Sequence, residues 1–407
     1  MSEETTGPEA PSRGPLSGLR VLDIATVYAG PFAAALLGDM GADVIKVEKP
    51  GSGDPLRALG PFQGDESLVW AASARNKRGV TLDLKAAEGQ EVFCRLLAAS
   101  DVLIENFRPG TMDRWGLGLD RLREANPDII VVRVSGFGQT GPYRDRAGFG
   151  TPATAFSGYA YISGYPDRPP ILPPISLADY ATGMFAAVGA LAALYLRDAR
   201  GGVAQEVDVT LYESMFRLLE GLVSEHDQLG VVRQRAGNQL SASVPAGMYE
   251  SKDGDWLVLT TSTDRTFNRL AAAIDRPDMV TDPRYSTNRA RLERREDVDA
   301  IVGAWFAEHP TAEIQDICNA HGVPVSPVND IAQIFEDPHY QAREMLVQIE
   351  HPTLGSLRLP GVTPKYSRTP GGVHRPSPGL GEHNDEVFAE VGLSLDDIAA
   401  LAEKGII

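Results

Sequence analysis

At 407 residues, with 43% hydrophobic and 23% charged side chains, the chain is long enough for two globular domains and excludes a fibrous or disordered class. A net charge of -17 with no basic run excludes binding to nucleic acid through phosphate neutralisation, so an anionic ligand must be met by locally gathered Lys and Arg. Cys94 and Cys318 offer neither a disulfide framework nor a CxxC site, which fits a reducing cytoplasm. The seven His are scattered without ligand spacing, so no metal and no tightly bound cofactor is expected. Residues 1–17 lack both a basic start and an apolar core, and read as a disordered tail with no signal peptide.

Residues 19–24 read as a strand, broken by Tyr28-Ala-Gly-Pro31, with Pro31 suited to the first turn of a helix over 32–40. Gly38 and Gly41 end it, and residues 42–48 form the next strand. This βαβ unit argues a parallel, Rossmann-like sheet. Glu48 stands where a dinucleotide fold holds a ribose, but the turn lacks G-x-G-x-x-G, so NAD is not expected. Between Lys46 and Arg78 six basic residues face four acidic ones, whose default meaning is a solvated face. A strand over 80–84, an amphipathic helix over 88–100 and a strand over 102–105 follow. Loops suited to ligand contact leave the strands at Asn106-Phe-Arg-Pro-Gly110 and, after an apolar strand over 128–135, at Gly136-Phe-Gly-Gln-Thr-Gly-Pro142. A strand over 205–210 and a helix over 211–229 close the region.

Asp179 precedes the apolar run 185–196, which reads as a buried helix too short to cross a membrane. A lone Asp there most simply caps the helix. The organisation expected is a large domain over 18–225 and 365–407, linkers at 226–239 and 346–364, and a small α+β domain over 240–345.

Several segments resemble the class III CoA-transferase family, which includes formyl-CoA and carnitine CoA-transferases and α-methylacyl-CoA racemase. They are Tyr28-Ala-Gly-Pro31, the run from Gly38 to Gly53-Asp54, Asn76-Lys-Arg78, Glu105-Asn-Phe107 with Pro109-Gly110, Gly136-x-Gly-Gln-Thr-Gly-Pro142, Leu177-Ala-Asp179 with Gly183, and Gly379-Leu-Gly-Glu-His-x-Asp-Glu386. Each is weak alone; in order, from about residue 15 onward, they are specific.

The resemblance implies an α/β fold, an interlocked homodimer and Asp179 as a nucleophile. That carboxylate would attack an acyl-CoA thioester and pass through an anhydride and an aspartyl-CoA thioester. It implies CoA contacts at Val27, Tyr28, Ala29, Lys49, Leu82, Asn106, Phe107 and Arg114, with Arg108 a further phosphate partner. For Leu82 and Phe107, core packing is an equal reading. Tyr28 replaces a Gln of formyl-CoA transferase, Lys49 stands where Arg is common, and a basic position falls on Ala147, beside Arg146.

The racemase branch has His where this chain reads Arg146-Ala-Gly-Phe149, and phenylalanine shuttles no proton. The glycine-rich loop of formyl-CoA transferase is absent around 238–248, which disfavours oxalate and formate. Phe149, Phe156, Tyr159 and Tyr161 would admit a larger acid, such as a dicarboxylate with succinyl-CoA as donor. The alternatives are an acyl-CoA racemase or isomerase, and a non-catalytic CoA-binding subunit of a heteromer. Nothing points to nucleic acid or a membrane as a partner.

Overall fold

The computed structural model describes residues 14–407. The expected tail lies outside the described residues except for 14–17, which form a turn whose Leu16 N–H donates to Met40 O (3.0 Å). The described residues gather into two compact units.

The first unit holds the described chain up to Tyr159, Leu172–Val223 and Pro338–Ile407. Its elements begin with β1 (Arg20–Asp23), α1 (Ala29–Asp39), β2 (Asp43–Glu48), β3 (Lys77–Thr81), α2 (Ala87–Ala98) and β4 (Val102–Glu105). They continue with β5 (Ile130–Ser135), α3 (Gly150–Phe156), α4 (Leu177–Arg200), β6 (Glu206–Thr210) and α5 (Leu211–Arg217). The six strands pair in the order β3-β2-β1-β4-β5-β6, all parallel, as the Rossmann-like reading expects. Sequence order reverses between β1 and β4, so a crevice opens beyond the carboxyl ends of those two strands.

Both faces of the sheet are covered, which is why its strands are apolar without alternation. Val21 packs with α1 and α4 on one face, whereas Leu22 packs with α2 and the C-terminal helices Asn384–Glu390 and Leu395–Glu403 on the other. Each such buried aliphatic side chain contributes roughly 1.5–3 kcal/mol. A small-residue seam sets the approach of α1 to α4: a Cβ on Gly183 would stand 2.8 Å from Ala29 O and from Phe32 Cδ1.

Several elements depart from the sequence reading. The strand expected at 80–84 starts at Lys77, so Lys77 and Arg78 are buried within it. α4 begins at Leu177 and runs 24 residues, which meets the length and hydropathy of a membrane span, so the length argument against one does not hold. Its Ala178, Ala181, Ala186 and Ala190 nonetheless lie in the protein interior. The helix expected over 211–229 is interrupted after Arg217, where Glu220 adopts φ +49° ahead of Gly221, and resumes as Leu222–Leu229.

The second unit comprises Ala160–Ile171 and Ser224–Asp337. Its three antiparallel strands place Trp256–Thr260 between Ala246–Glu250 and Val325–Pro327. Leu257, Leu259, Phe267, Val302 and Phe306 form its core, and Arg291 is buried among them, paired with Asp264 (2.8 Å) and lying over the Phe267 ring (3.9 Å). In the first unit, residues 346–364 carry a β-hairpin, Leu346–His351 with Gly355–Pro360.

Candidate active site

The loops leaving β1 and β4 meet at the reversal of strand order. Asn106 stitches them: Thr26 N–H donates to Asn106 Oδ1 (2.8 Å), and Asn106 Nδ2 donates to Thr26 O (2.7 Å). The next residue, Val27, has φ +66°, a conformation that a β-branched side chain rarely adopts. What holds it is Asp54, whose Oδ1 accepts from Val27 N–H (3.0 Å) and from Leu56 N–H (2.8 Å).

Asp54 belongs to a buried charge network beneath this loop. Lys46 Nζ pairs with Asp54 (2.9 Å) and donates to Ala25 O, and Lys77 Nζ pairs with Asp23 (2.8 Å) and donates to Pro31 O (2.7 Å). Burial pushes the Asp54 carboxyl up, but Lys46 and the backbone donors outweigh it and hold the pKa below the ordinary value. Burial also pushes Lys77 below its ordinary value, with Asp23 opposing. These lysines therefore contradict the solvated-face reading, because their ammonium groups anchor the backbone under the crevice. Glu48 is likewise unavailable to a ribose: Arg57 grips its carboxylate at 2.7 and 2.8 Å, and Asp54 N–H donates to it (2.8 Å).

Asp179 lies in the first turn of α4, three residues past Ser176, so it is not the cap residue. A carboxylate there still meets the positive end of the helix. Its side chain rests against the opening of α3: a Cβ on Gly150 would overlap Asp179 Oδ2. Burial lifts its pKa from 3.8 to about 6, opposed only by its own backbone N–H. Burial, and then the charge of Asp179, also lift the Tyr28 phenol. Tyr28 lies 6.0 Å from the Tyr180 ring, which meets Phe32 edge-on at 4.8 Å.

One cavity of about 450 Å³ brings together Asp179, Val27, Tyr28, Ala29, Asn106, Phe107 and Arg108, with Phe149 and Arg146 on its wall. A second, of about 510 Å³, shares Thr26 and Phe107 with the first and is lined by Lys49, Leu82, Lys85 and Trp115. Leu82 serves both readings, being 2% exposed in the core and part of the cavity wall. Arg114 lines neither cavity: its guanidinium turns back to Thr111 Oγ1 (2.8 Å). Trp115, beside it, takes the wall instead and meets Phe107 edge-on at 4.9 Å.

Sequence reasoning missed the positioning roles of Asp54, Lys46, Trp115 and Gly150. Only Lys46 and Gly53-Asp54 gave a signal, as parts of one motif run. Glu105 was likewise seen only as motif, yet its carboxylate accepts from Phe107 N–H (2.7 Å), and burial raises its pKa to about 7. Among the described residues no group of three or more His, Cys, Asp or Glu side chains is placed to hold a metal.

The glycine-rich loop after β5 closes on itself. Gly136 and Gly148 approach so nearly that a Cβ on Gly136 would stand 2.6 Å from Gly148 Cα, and the intervening residues form a compact loop beside the Asp179 cavity. Phe149 is 70% exposed at its exit, where the racemase branch has its proton-carrying His.

The chain is similar to known proteins along nearly its whole length. A family model described as CoA-transferase family III matches residues 16–384. The succinyl-CoA–D-citramalate CoA-transferase of Chloroflexus aurantiacus is 43% identical, over 97% of this chain and 98% of that protein. The succinyl-CoA–L-malate CoA-transferase beta subunit of the same organism is 45% identical, again over 97% and 98%. The crystal structure of a CAIB/BAIF family protein from Brucella suis matches with a TM-score of 0.80 at 32% identity, covering 93% of this chain and 100% of that one. The chain therefore belongs to CoA-transferase family III and is a CoA-transferase.

Proposed function

We propose that the protein moves CoA from succinyl-CoA to a second dicarboxylic acid through Asp179. The observation that carries this reading is the Asp179 carboxylate, half-buried against Gly150 in a cavity continuous with the Val27–Ala29 and Asn106–Arg108 loops. The two Chloroflexus relatives, whose names give succinyl-CoA as donor and a hydroxy diacid as acceptor, support the substrate class.

An ionised Asp179 oxygen attacks the thioester carbonyl. The C–S bond breaks, and CoA thiolate leaves behind a succinyl-aspartyl anhydride. The thiolate then attacks the aspartyl carbonyl, giving an aspartyl-CoA thioester and free succinate. The acceptor carboxylate attacks that thioester, the thiolate leaves again, and its attack on the acceptor's acyl carbon yields the new acyl-CoA and restores Asp179. No net proton is needed, and each step swaps one good leaving group for another. The first-turn N–H groups of α3, at Gly150 and Thr151, line the same cavity and can donate to the developing oxyanions.

In this reading the second cavity takes the nucleotide part of CoA, with Lys49 and Arg108 meeting phosphates and Trp115 and Leu82 offering apolar surface. Phe149 at the cavity wall supports transfer over racemisation, because it cannot exchange a proton. The working assembly is a homodimer, supported by the exposed apolar side chains of α4, Met184 (50%), Val188 (62%) and Tyr195 (60%). A second reading, one subunit of a heteromer, is favoured by the malate relative being a beta subunit.

A donor and acceptor screen on the chain purified alone tests both. Succinyl-CoA-dependent transfer to C4–C5 diacids supports the main reading. Transfer that appears only on adding a second related chain supports the heteromer. Asp179→Asn should bind CoA and abolish transfer.

A further inference from the structure

The Asp179 cavity carries three guanidinium groups, Arg108, Arg144 and Arg146, in a chain whose net charge is -17. They are not equivalent. Arg144 shares its charge with Asp145 at 3.5 Å. Arg108 follows Phe107 directly, and Phe107 also lines the neighbouring cavity with Lys49, which places Arg108 on the side proposed for CoA. Arg146 forms no ion pair with any described residue. Its guanidinium carbon lies 3.5 Å over the Tyr143 ring. Stacking of this kind occupies the face of the guanidinium and leaves the in-plane N–H fork open to a carboxylate.

The ring beneath Arg146 belongs to an aromatic cluster, although Arg146 itself lies in an exposed segment, 140–147. Tyr143 meets Phe137 at 6.0 Å and Phe156 at 6.2 Å, both edge-on, and Phe156 in turn meets Tyr212 at 5.2 Å. Phe156 ends α3, the helix whose first residue, Gly150, touches the Asp179 carboxylate. The close approach of Gly136 and Gly148 ties the base of the loop, and Arg146 N–H donates to Tyr143 O (2.9 Å). One connected set of contacts therefore holds the neighbour of Asp179 and a cation without an ion-pair partner among the described residues beside the same cavity. Phe149, Val134 and Leu211, elsewhere on its wall, offer no counter-charge.

We propose that Arg146 binds the remote carboxylate of a dicarboxylic substrate and so sets the preference for diacids over monoacids. The inference rests on CoA transfer through Asp179. Of a diacid's two carboxyl groups, one reacts at Asp179 and is carried as anhydride or thioester. The other stays ionised at neutral pH, and burying it against apolar walls without a partner is costly. A fork-shaped cation stacked on Tyr143 removes that cost for a diacid and offers a monoacid nothing.

The test uses the full chain with Arg146→Gln and Arg146→Lys. Transfer is measured from succinyl-CoA to a C4–C5 diacid and from butyryl-CoA to a monoacid of matched length, and succinate is titrated calorimetrically. Arg146→Gln is expected to lower the diacid-to-monoacid ratio of kcat/KM by about 10- to 100-fold, mainly through KM, because a hydrogen-bonded charge pair is removed. Succinate affinity should fall by a similar factor, and Arg146→Lys should recover part of both. An unchanged ratio, or an equal fall for diacid and monoacid, overturns the proposal. If the unaltered protein transfers no CoA between any pair, the proposed function fails instead, and the dependence of succinate binding on Arg146 still decides this inference.

Discussion

The chemistry proposed for Asp179 follows from how few donors oppose the burial of its carboxylate. A carboxylate stabilised by several donors would be a poor nucleophile, whereas Asp179 has only its own N–H opposing burial, which pushes its pKa up to about 6. It is then mostly ionised at neutral pH yet poorly solvated, which suits attack on a thioester. Transfer by the free enzyme should accordingly rise through about pH 6 and level off above it, measured as kcat/KM against pH. The same shift makes a statement about stability. The folded state holds an extra proton between 3.8 and about 6, so stability falls as pH rises across that window and the deficit persists above it. Asp179→Asn should therefore raise stability at pH 7.5 by on the order of 1–2 kcal/mol while abolishing transfer, as chemical denaturation would show. The sequence marked this Asp through its motif, but not its burial, because its neighbour Gly150 opens a helix, Gly150–Phe156, that no periodicity in the sequence announced.

At the scale of elements, the site is held by two devices. α1 and α4 close on each other through Gly183, and this sets the distance between the Val27–Ala29 loop and Asp179. Gly183→Ala must push its Cβ against the Ala29 carbonyl or move a helix. It should lower kcat/KM by roughly 10- to 100-fold with the fold retained by circular dichroism, since small displacements of reacting groups are expensive. The second device is the buried Asp23–Lys77 and Asp54–Lys46 pairing under the strained turn. Removing one partner leaves an uncompensated charge, so Asp23→Ala should destabilise the protein by about 3–5 kcal/mol in urea unfolding. Strand and helix types were legible from periodicity, from residues 19 to 48 especially. The charged pairs were not, because Lys and Arg in a sequence look alike whether solvated or enclosed, and here β3 starts three residues earlier than its apolar pattern and carries Lys77 inside.

For the whole molecule, the order of the six strands explains where function sits. A doubly wound sheet has one reversal of strand order, and the loops after β1 and β4 leave it there, joined by Asn106. That much could be reasoned from the βαβ pattern and the loops after residues 105 and 135. The lining of the cavities was less legible: Arg114 faces Thr111 outside both, and Trp115 lines the wall, because a helical turn separates neighbours in sequence by about 100°. Assembly is expected as a homodimer, so light scattering on the purified chain should return twice the chain mass. A monomer fully active in transfer would remove the need for the exposed α4 face.

The central claim, that Asp179 becomes covalently acylated, is tested most directly by trapping. The protein is incubated with succinyl-CoA, quenched with hydroxylamine, digested and analysed by mass spectrometry. An aspartyl hydroxamate on the peptide containing Asp179, formed only when succinyl-CoA is present, is the expected result. Steady transfer of CoA with that peptide unmodified would contradict it.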